Sequence, residues 1–194
     1  MDNNNFYIFL DIDGVLTNEE NVKKQLKKNH DEQYIRSMLG LSNDKEITKW
    51  HIEYLFLDKT CVNALNYLIN NVSSVFDTTL VLTSARNVDM PLTLEVLKDN
   101  DVLLNKVKID AIRKIPFDKH RGQLVKEYLT QNPYTNFVVI DDEWFDYREH
   151  IYSKNIIKTN YHSKDNGMGL TTKHIYKFLN NHNNFGIRNE PSNT

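Results

Sequence analysis

Asp11 and Asp13 follow an apolar run, Phe6 to Leu10, and stand one residue apart with Gly14 next. If the run is a strand, its period of two points both carboxylates at one face where the strand stops. Like charges held that close are costly unless a cation or a shared proton relieves them. The pair therefore asks for a bound metal or a coupled titration. Gly14 would let the backbone turn sharply behind them. The same Asp-x-Asp-Gly string also describes an Asp-rich turn, and alone it does not separate the two. A calcium loop is excluded, because its fifth, sixth and twelfth positions need an acidic or amide residue, Gly and Glu. Here they hold Val15, Leu16 and Val22.

Three further segments carry chemistry of a matching kind. Asp141 and Asp142 follow the apolar run Phe137 to Ile140. If that strand neighbours the first, its carboxylates face the same crevice and supply oxygen ligands for a hard divalent ion, with sites left for water and phosphate oxygens. Magnesium fits best. Leu80 to Leu82 runs into Thr83, Ser84, Ala85 and Arg86, whose hydroxyls, turn amides and guanidinium suit phosphoryl oxygens. Lys119, His120, Arg121 and Gly122 come just before a helical pattern at Leu124 to Leu129. A cation there opposes the helix dipole, so a bound anion would rationalise it. Lys119 is the first choice for that role and Arg121 a close second.

The elements that must position these residues alternate. Strand-length apolar runs lie at Phe6 to Leu10, Leu80 to Leu82, Phe137 to Ile140 and around Ile156 and Ile157. Between them fall helical patterns: Val62 to Val72, a helix opened by Pro91, Leu124 to Leu129, and a last one capped by Thr171 or Thr172. The expectation is an α/β, Rossmann-like parallel sheet with helices on both faces, whose ligands sit beyond the carboxyl ends of the strands. Residues 17–59 break the rhythm and read as a small, mostly helical insertion after the first strand. Tyr34, Ile35, Met38 and Leu39 form one apolar stripe there, and Trp50, Tyr54 and Leu55 another. The core is then 1–16 with 60–180, and the Asn-rich residues 181–194 read as a frayed tail.

Composition narrows the function. The 194 residues carry 24 basic against 26 acidic side chains, so no overall field recruits a polyanion. Basic clusters at Lys23, Lys24, Lys27 and Lys28, and from Lys106 to Lys126, are the local exceptions. Cys61 is the sole cysteine, which excludes an internal disulfide or a cysteine-based zinc cluster and fits a reducing compartment. Neither a signal peptide nor an apolar stretch of membrane-spanning length is visible, so a soluble, cytoplasmic protein is expected, with no membrane contact and no obligate protein partner.

With its four segments in order, the chain resembles haloacid dehalogenase-superfamily phosphatases over roughly Phe6 to Leu179. FLDIDGVLTN resembles the first motif, VLTSAR the second, DKHRG the third and VVIDDE the fourth. The resemblance implies Asp11 as a nucleophile that forms an aspartyl-phosphate and Asp13 as general acid and base. It implies Thr83 on the transferring phosphoryl group, and Lys119 or Arg121 balancing its charge. Mg2+ would be held by Asp11, by Asp13 through its carbonyl, and by Asp141 or Asp142. Haloacid dehalogenases need no proton donor at Asp13, so its presence favours phosphate esters. A closer similarity is to the haloacid dehalogenase-type domain of Swiss Army Knife RNA repair proteins, through Ser84 to Arg86, Arg121 with Gly122, and Gly169, Leu170 and Thr171. The aromatic residue common in that second motif is missing here. Arg86 also resembles the Ser-Gly-Arg arginine of phage polynucleotide kinase-phosphatases.

The expected function is a Mg2+-dependent phosphomonoesterase on a phosphorylated substrate, with Ser84, Arg86 and Arg121 contacting it. Nucleic-acid ends are one substrate class. A free nucleotide is the rival, because Thr83-Ser84 and Asp141-Asp142 also resemble deoxyribonucleotidase motifs. A module that keeps the fold without catalysis is the alternative from another class. Trp50, Tyr54 and Phe56 are candidates to stack on a base, against the plainer reading as core residues.

Overall fold

The computed structural model describes residues 4–112, 119–134, 136–162 and 169–182. Strand β1, Asn5–Leu10, is central because its side chains satisfy two apolar layers at once. Phe6, Ile8 and Leu10 point into one cluster, while Tyr7 and Phe9 point into a second on the other face. A strand buried on both sides reads as a continuous apolar run, which is why it is visible in the sequence.

Around it lie β2 (Asp77–Leu82), β3 (Lys108–Ala111), β4 (Asn136–Asp141) and β5 (Ile156–Lys158). The sheet runs β3-β2-β1-β4-β5 and every pairing is parallel. Strand β3 is absent from the sequence reading. It is an edge strand of four residues, Lys-Ile-Asp-Ala, with its lysine and aspartate exposed, so it presents no apolar run. Such short, charged edges blunt further pairing.

The first cluster is covered by α4 (Lys59–Ser73), α5 (Met90–Asp99) and α7 (Thr172–Asn181). Helix α6, Arg121–Gln131, covers the second through Val125 and Leu129. Pro91 opens α5, and Thr171 caps α7 by accepting from the His174 amide. Residues 183–194, most of the expected tail, lie outside the described residues, as does the 113–118 part of the Lys106 to Lys126 stretch.

The insertion contains α1 (Glu19–Gln25), α2 (Glu32–Leu39) and α3 (Lys49–Leu55). It leaves and rejoins the core at one point. The Asp58 amide donates to the Leu16 carbonyl at 2.7 Å, and Asn18 Nδ2 donates to Asp58 Oδ2 at 2.8 Å. Ile35, Ile52, Tyr54 and Leu55 share the cluster that contains Phe6, Ile8 and Leu10, so the insertion is packed onto the core. Its basic residues are partly neutralised, since Lys23 and Lys24 reach Glu19 and Glu20 one helical turn back.

The start of α6 packs against the turn after β4 closely enough that a Cβ on Gly122 would lie 2.6 Å from the Asp146 carbonyl oxygen and 2.7 Å from Tyr147 Cα. That approach brings Arg121 beside the end of β4. Gly122→Ala is expected to destabilise the protein by about 1–3 kcal/mol through this backbone overlap. A chemical denaturation midpoint equal to wild type would contradict so tight a contact.

Candidate active site

Leu10 pairs with Leu82 on one side and with Ile140 on the other, so β1, β2 and β4 end level. The Asp11 amide donates to the Ile140 carbonyl at 3.0 Å and the Thr83 amide to the Leu10 carbonyl at 2.9 Å. The residues that follow all three strands therefore stand at one edge, as a parallel sheet requires of its ligand site.

Asp11, Asp141 and Asp142 each bring a carboxylate oxygen to within 4.8 Å of the others. The first two are buried, Asp141 at 0% and Asp11 at 4% exposure. Burial, with the nearby Asp141 carboxylate, pushes the Asp11 carboxyl up to about 7, against the pull of Arg121. Burial and the neighbouring Asp141 push Asp142 up to about 6. A Cβ on Gly14 would fall 2.2 Å from Asp142 Oδ2, and Gly14 adopts φ +75°. Both facts require glycine there.

Arg121 is the cation inside the cluster. Its Nη1 lies 2.8 Å from Asp141 Oδ2 and 3.4 Å from Asp11 Oδ2. Although burial works against its charge, Asp11 and Asp141 raise its pKa. Lys119 is placed elsewhere: Nζ reaches forward to Glu127, 2.9 and 3.1 Å from its carboxylate oxygens. The anions that rationalise a cation at the start of α6 are the protein's own carboxylates. The order of preference between the two cations is thus reversed, because Gly122 delivers Arg121 to β4 while Lys119 stays on the outer side of the helix.

Asp141 spends both oxygens on protein donors. Oδ2 accepts from Arg121 and, at 2.6 Å, from the Tyr147 hydroxyl; Oδ1 accepts from the Glu143 amide at 2.8 Å. Asp142 lines the open cavity with Asp11 and is the better placed of the adjacent pair to meet an ion. Two unit charges 4 Å apart interact by about 4 kcal/mol at an effective dielectric of about 20. One guanidinium among Asp11, Asp141, Asp142 and Glu143 therefore leaves repulsion that a hard cation would relieve.

Asp13 takes a different partner. The Arg86 fork grips its carboxylate, with Nε 3.1 Å from both oxygens and Nη2 in close contact with Oδ1. Arg86 is buried, and its Nη1 donates to the Tyr54 carbonyl of α3 at 2.6 Å. The Ser84 side chain lies near the Asp11 carboxylate and favours its charged form, and its hydroxyl accepts from the Arg86 amide at 3.4 Å. Thr83 is buried at 1% exposure, and its hydroxyl has no hydrogen-bond partner among the described residues.

The cavity in front of Asp11 measures about 440 Å³ and is also lined by Asp13, Arg121 and Asp142. Its far wall is Asn160, Tyr161 and His162, which follow β5. Sequence reasoning missed these, although the rule that found the other strand ends applies to β5 as well. Tyr147 had no such signal, since its hydrogen bond to Asp141 leaves no mark in residue type or spacing, whereas Gly14 turns the backbone behind the aspartates as its place in Asp-x-Asp-Gly suggests.

The profile of one family matches residues 7–175, that of the HAD domain in Swiss Army Knife RNA repair proteins. No curated protein matches the chain. A crystal structure provisionally assigned as a β-phosphoglucomutase from Thermotoga maritima aligns with a TM-score of 0.49 and 14% identity, over 93% of this chain and 99% of that one.

The raised carboxyls have a consequence for stability without metal. Between the ordinary carboxyl range near 4 and their folded values, Asp11 and Asp142 hold protons that the unfolded chain has lost. Their contribution is full below about pH 4 and disappears as pH rises through about 6 to 7. His174, held below its usual value by burial, works in the opposite direction. Comparing wild type with Asp142→Asn cancels it. In thermal melts without metal, Asp142→Asn should gain stability over wild type at pH 8 and lose that advantage at pH 5. Mg2+ should raise the wild-type Tm at pH 8 more than that of the variant. An equal loss of stability in the variant at both pH values would contradict crowding of these carboxylates.

Proposed function

Because the chain belongs to the family of haloacid dehalogenase (HAD) domains of Swiss Army Knife RNA repair proteins, we propose that it is a Mg2+-dependent phosphomonoesterase working through an aspartyl-phosphate. The observation that carries this reading is the joint opening of Asp11, Asp13, Arg121 and Asp142 into one cavity, at the level ends of three parallel strands.

Asp11 and Asp142 would hold Mg2+, with the Asp13 carbonyl, while Asp141 orients Arg121 and Tyr147 beside them. When bound, the ion supplies positive charge against the clustered carboxylates and the phosphoryl oxygens. Asp11 attacks phosphorus through a carboxylate oxygen, the bond to the leaving oxygen breaks, and Asp13 supplies the proton that oxygen needs. Asp13 then takes a proton from the water that attacks phosphorus, which releases inorganic phosphate and restores Asp11. Ser84 favours the charged form of the Asp11 carboxylate, and Arg121 offers its guanidinium to the transferring group. Arg86 covers both Asp13 oxygens, so turning Asp13 to the leaving oxygen requires the fork to release a contact.

The substrate is read as a phosphate monoester of the nucleotide or nucleic-acid-end class, which the family's description supports. Purified protein with Mg2+ should hydrolyse an aryl phosphate, and Asp11→Asn should abolish turnover. Asp13→Asn should cost about 10²–10⁴-fold on an alkyl phosphate and less on an aryl phosphate, whose leaving oxygen needs little protonation. Full activity in Asp11→Asn would remove the covalent route.

A further inference from the structure

A second cavity, about 510 Å³, adjoins the first and shares Asp13 and Ala85 with it. The proposed proton donor thus stands between the two, which is where the bond to a leaving group must lie. The volume falls within the range of about 300–1,000 Å³ typical of small-ligand sites. Its apolar surfaces come from α3 and from the segment after β2. Trp50 is 59% exposed, Val88 is 93% exposed, and Leu92 lies beside them. Trp50 is thus no core residue. Its ring packs on Tyr54 with centroids 5.1 Å apart, and Tyr54 in turn lies under the Arg86 guanidinium at 4.4 Å. These contacts brace an exposed indole beside the reacting centre.

Charge decides what fits. The other lining residues are Glu53 and Asp89, which together with Asp13 make an acidic rim. Among the described residues the one cation lining this cavity, Arg86, is committed to Asp13 and to the Tyr54 and Glu53 carbonyls. A second phosphate would meet carboxylates without a cation to receive it. A flat, uncharged ring bearing amino groups and hydroxyls would stack on Trp50 and donate hydrogen bonds to the rim. From this we infer that the second cavity is a leaving-group site for a single nucleoside, and that the substrate is a nucleoside monophosphate with no further phosphate. The inference rests on the phosphatase reading of the first cavity and extends it to a substrate class.

The test compares kcat/KM for adenosine 3'- and 5'-monophosphate, ribose 5-phosphate, a 5'-phosphorylated trinucleotide and acetyl phosphate, in wild type, Trp50→Ala and Trp50→Phe. The better adenosine monophosphate should exceed ribose 5-phosphate and the trinucleotide by at least about 10-fold. Trp50→Ala should lower kcat/KM for that nucleotide by about 5- to 150-fold, the range of a base-stacking contact. Trp50→Phe should keep most of it, and acetyl phosphate, too small to reach the ring, should be hydrolysed equally by all three. Because Trp50 is mostly exposed, its replacement leaves the core intact. Equal use of adenosine monophosphate and ribose 5-phosphate, or a trinucleotide turned over as well as the mononucleotide, would overturn the inference and leave the phosphatase standing. Inactivity on every one of these substrates, the acyl phosphate included, would instead remove the phosphatase reading. Trp50 and Trp144 are the two tryptophans. In Trp144→Phe, saturable quenching of Trp50 emission by adenosine would still support the nucleoside site, and its absence would refute it.

Discussion

Crowded negative charge at the end of a parallel sheet is the constraint on which the structure turns. Strands β1 and β4 end level and place Asp11, Asp141 and Asp142 together, two of them buried. Burial alone would drive such carboxyls to hold their protons. Arg121 offsets part of the repulsion, and Asp141 gives both its oxygens to Arg121, Tyr147 and the Glu143 amide. What remains unbalanced faces a cavity. The fold thus keeps a crowded acidic site whose remaining repulsion a cation would relieve.

The insertion is joined to this chemistry by more than its position. Its two ends are tied by Asn18 and Asp58, and its last helix offers backbone carbonyls to Arg86, which holds Asp13. A movement of α3 relative to the core would therefore reach Asp13 through one buried guanidinium. The same helix presents Trp50 beside that aspartate. The proposed leaving-group site and the proposed proton donor would thus share one support, a reason for a polar insertion to be packed so firmly on the apolar core.

Much of this was legible in the sequence because period and burial agree. Phe6 to Leu10 and Phe137 to Ile140 are continuous apolar runs since both faces of β1 and β4 are covered. Their C-terminal aspartates could be picked out without coordinates. Strand β3 was not legible, being a short edge whose lysine and aspartate face solvent. The choice between Lys119 and Arg121 was equally hidden. Both flank the helix start, and the close approach at Gly122 that separates them is a tertiary contact. The grip of Arg86 on Asp13 joins residues 73 positions apart and leaves no trace in local spacing.

On this reading Asp11 and Asp142 would share one divalent ion beside Arg121. Crystals soaked with Mn2+ as a stand-in for Mg2+, measured for anomalous scattering, test it most directly. A single strong peak is expected within coordination distance of one oxygen of each carboxylate, with Asp141 still bonded to Arg121 and Tyr147. A peak elsewhere, or none at a saturating concentration, would contradict it.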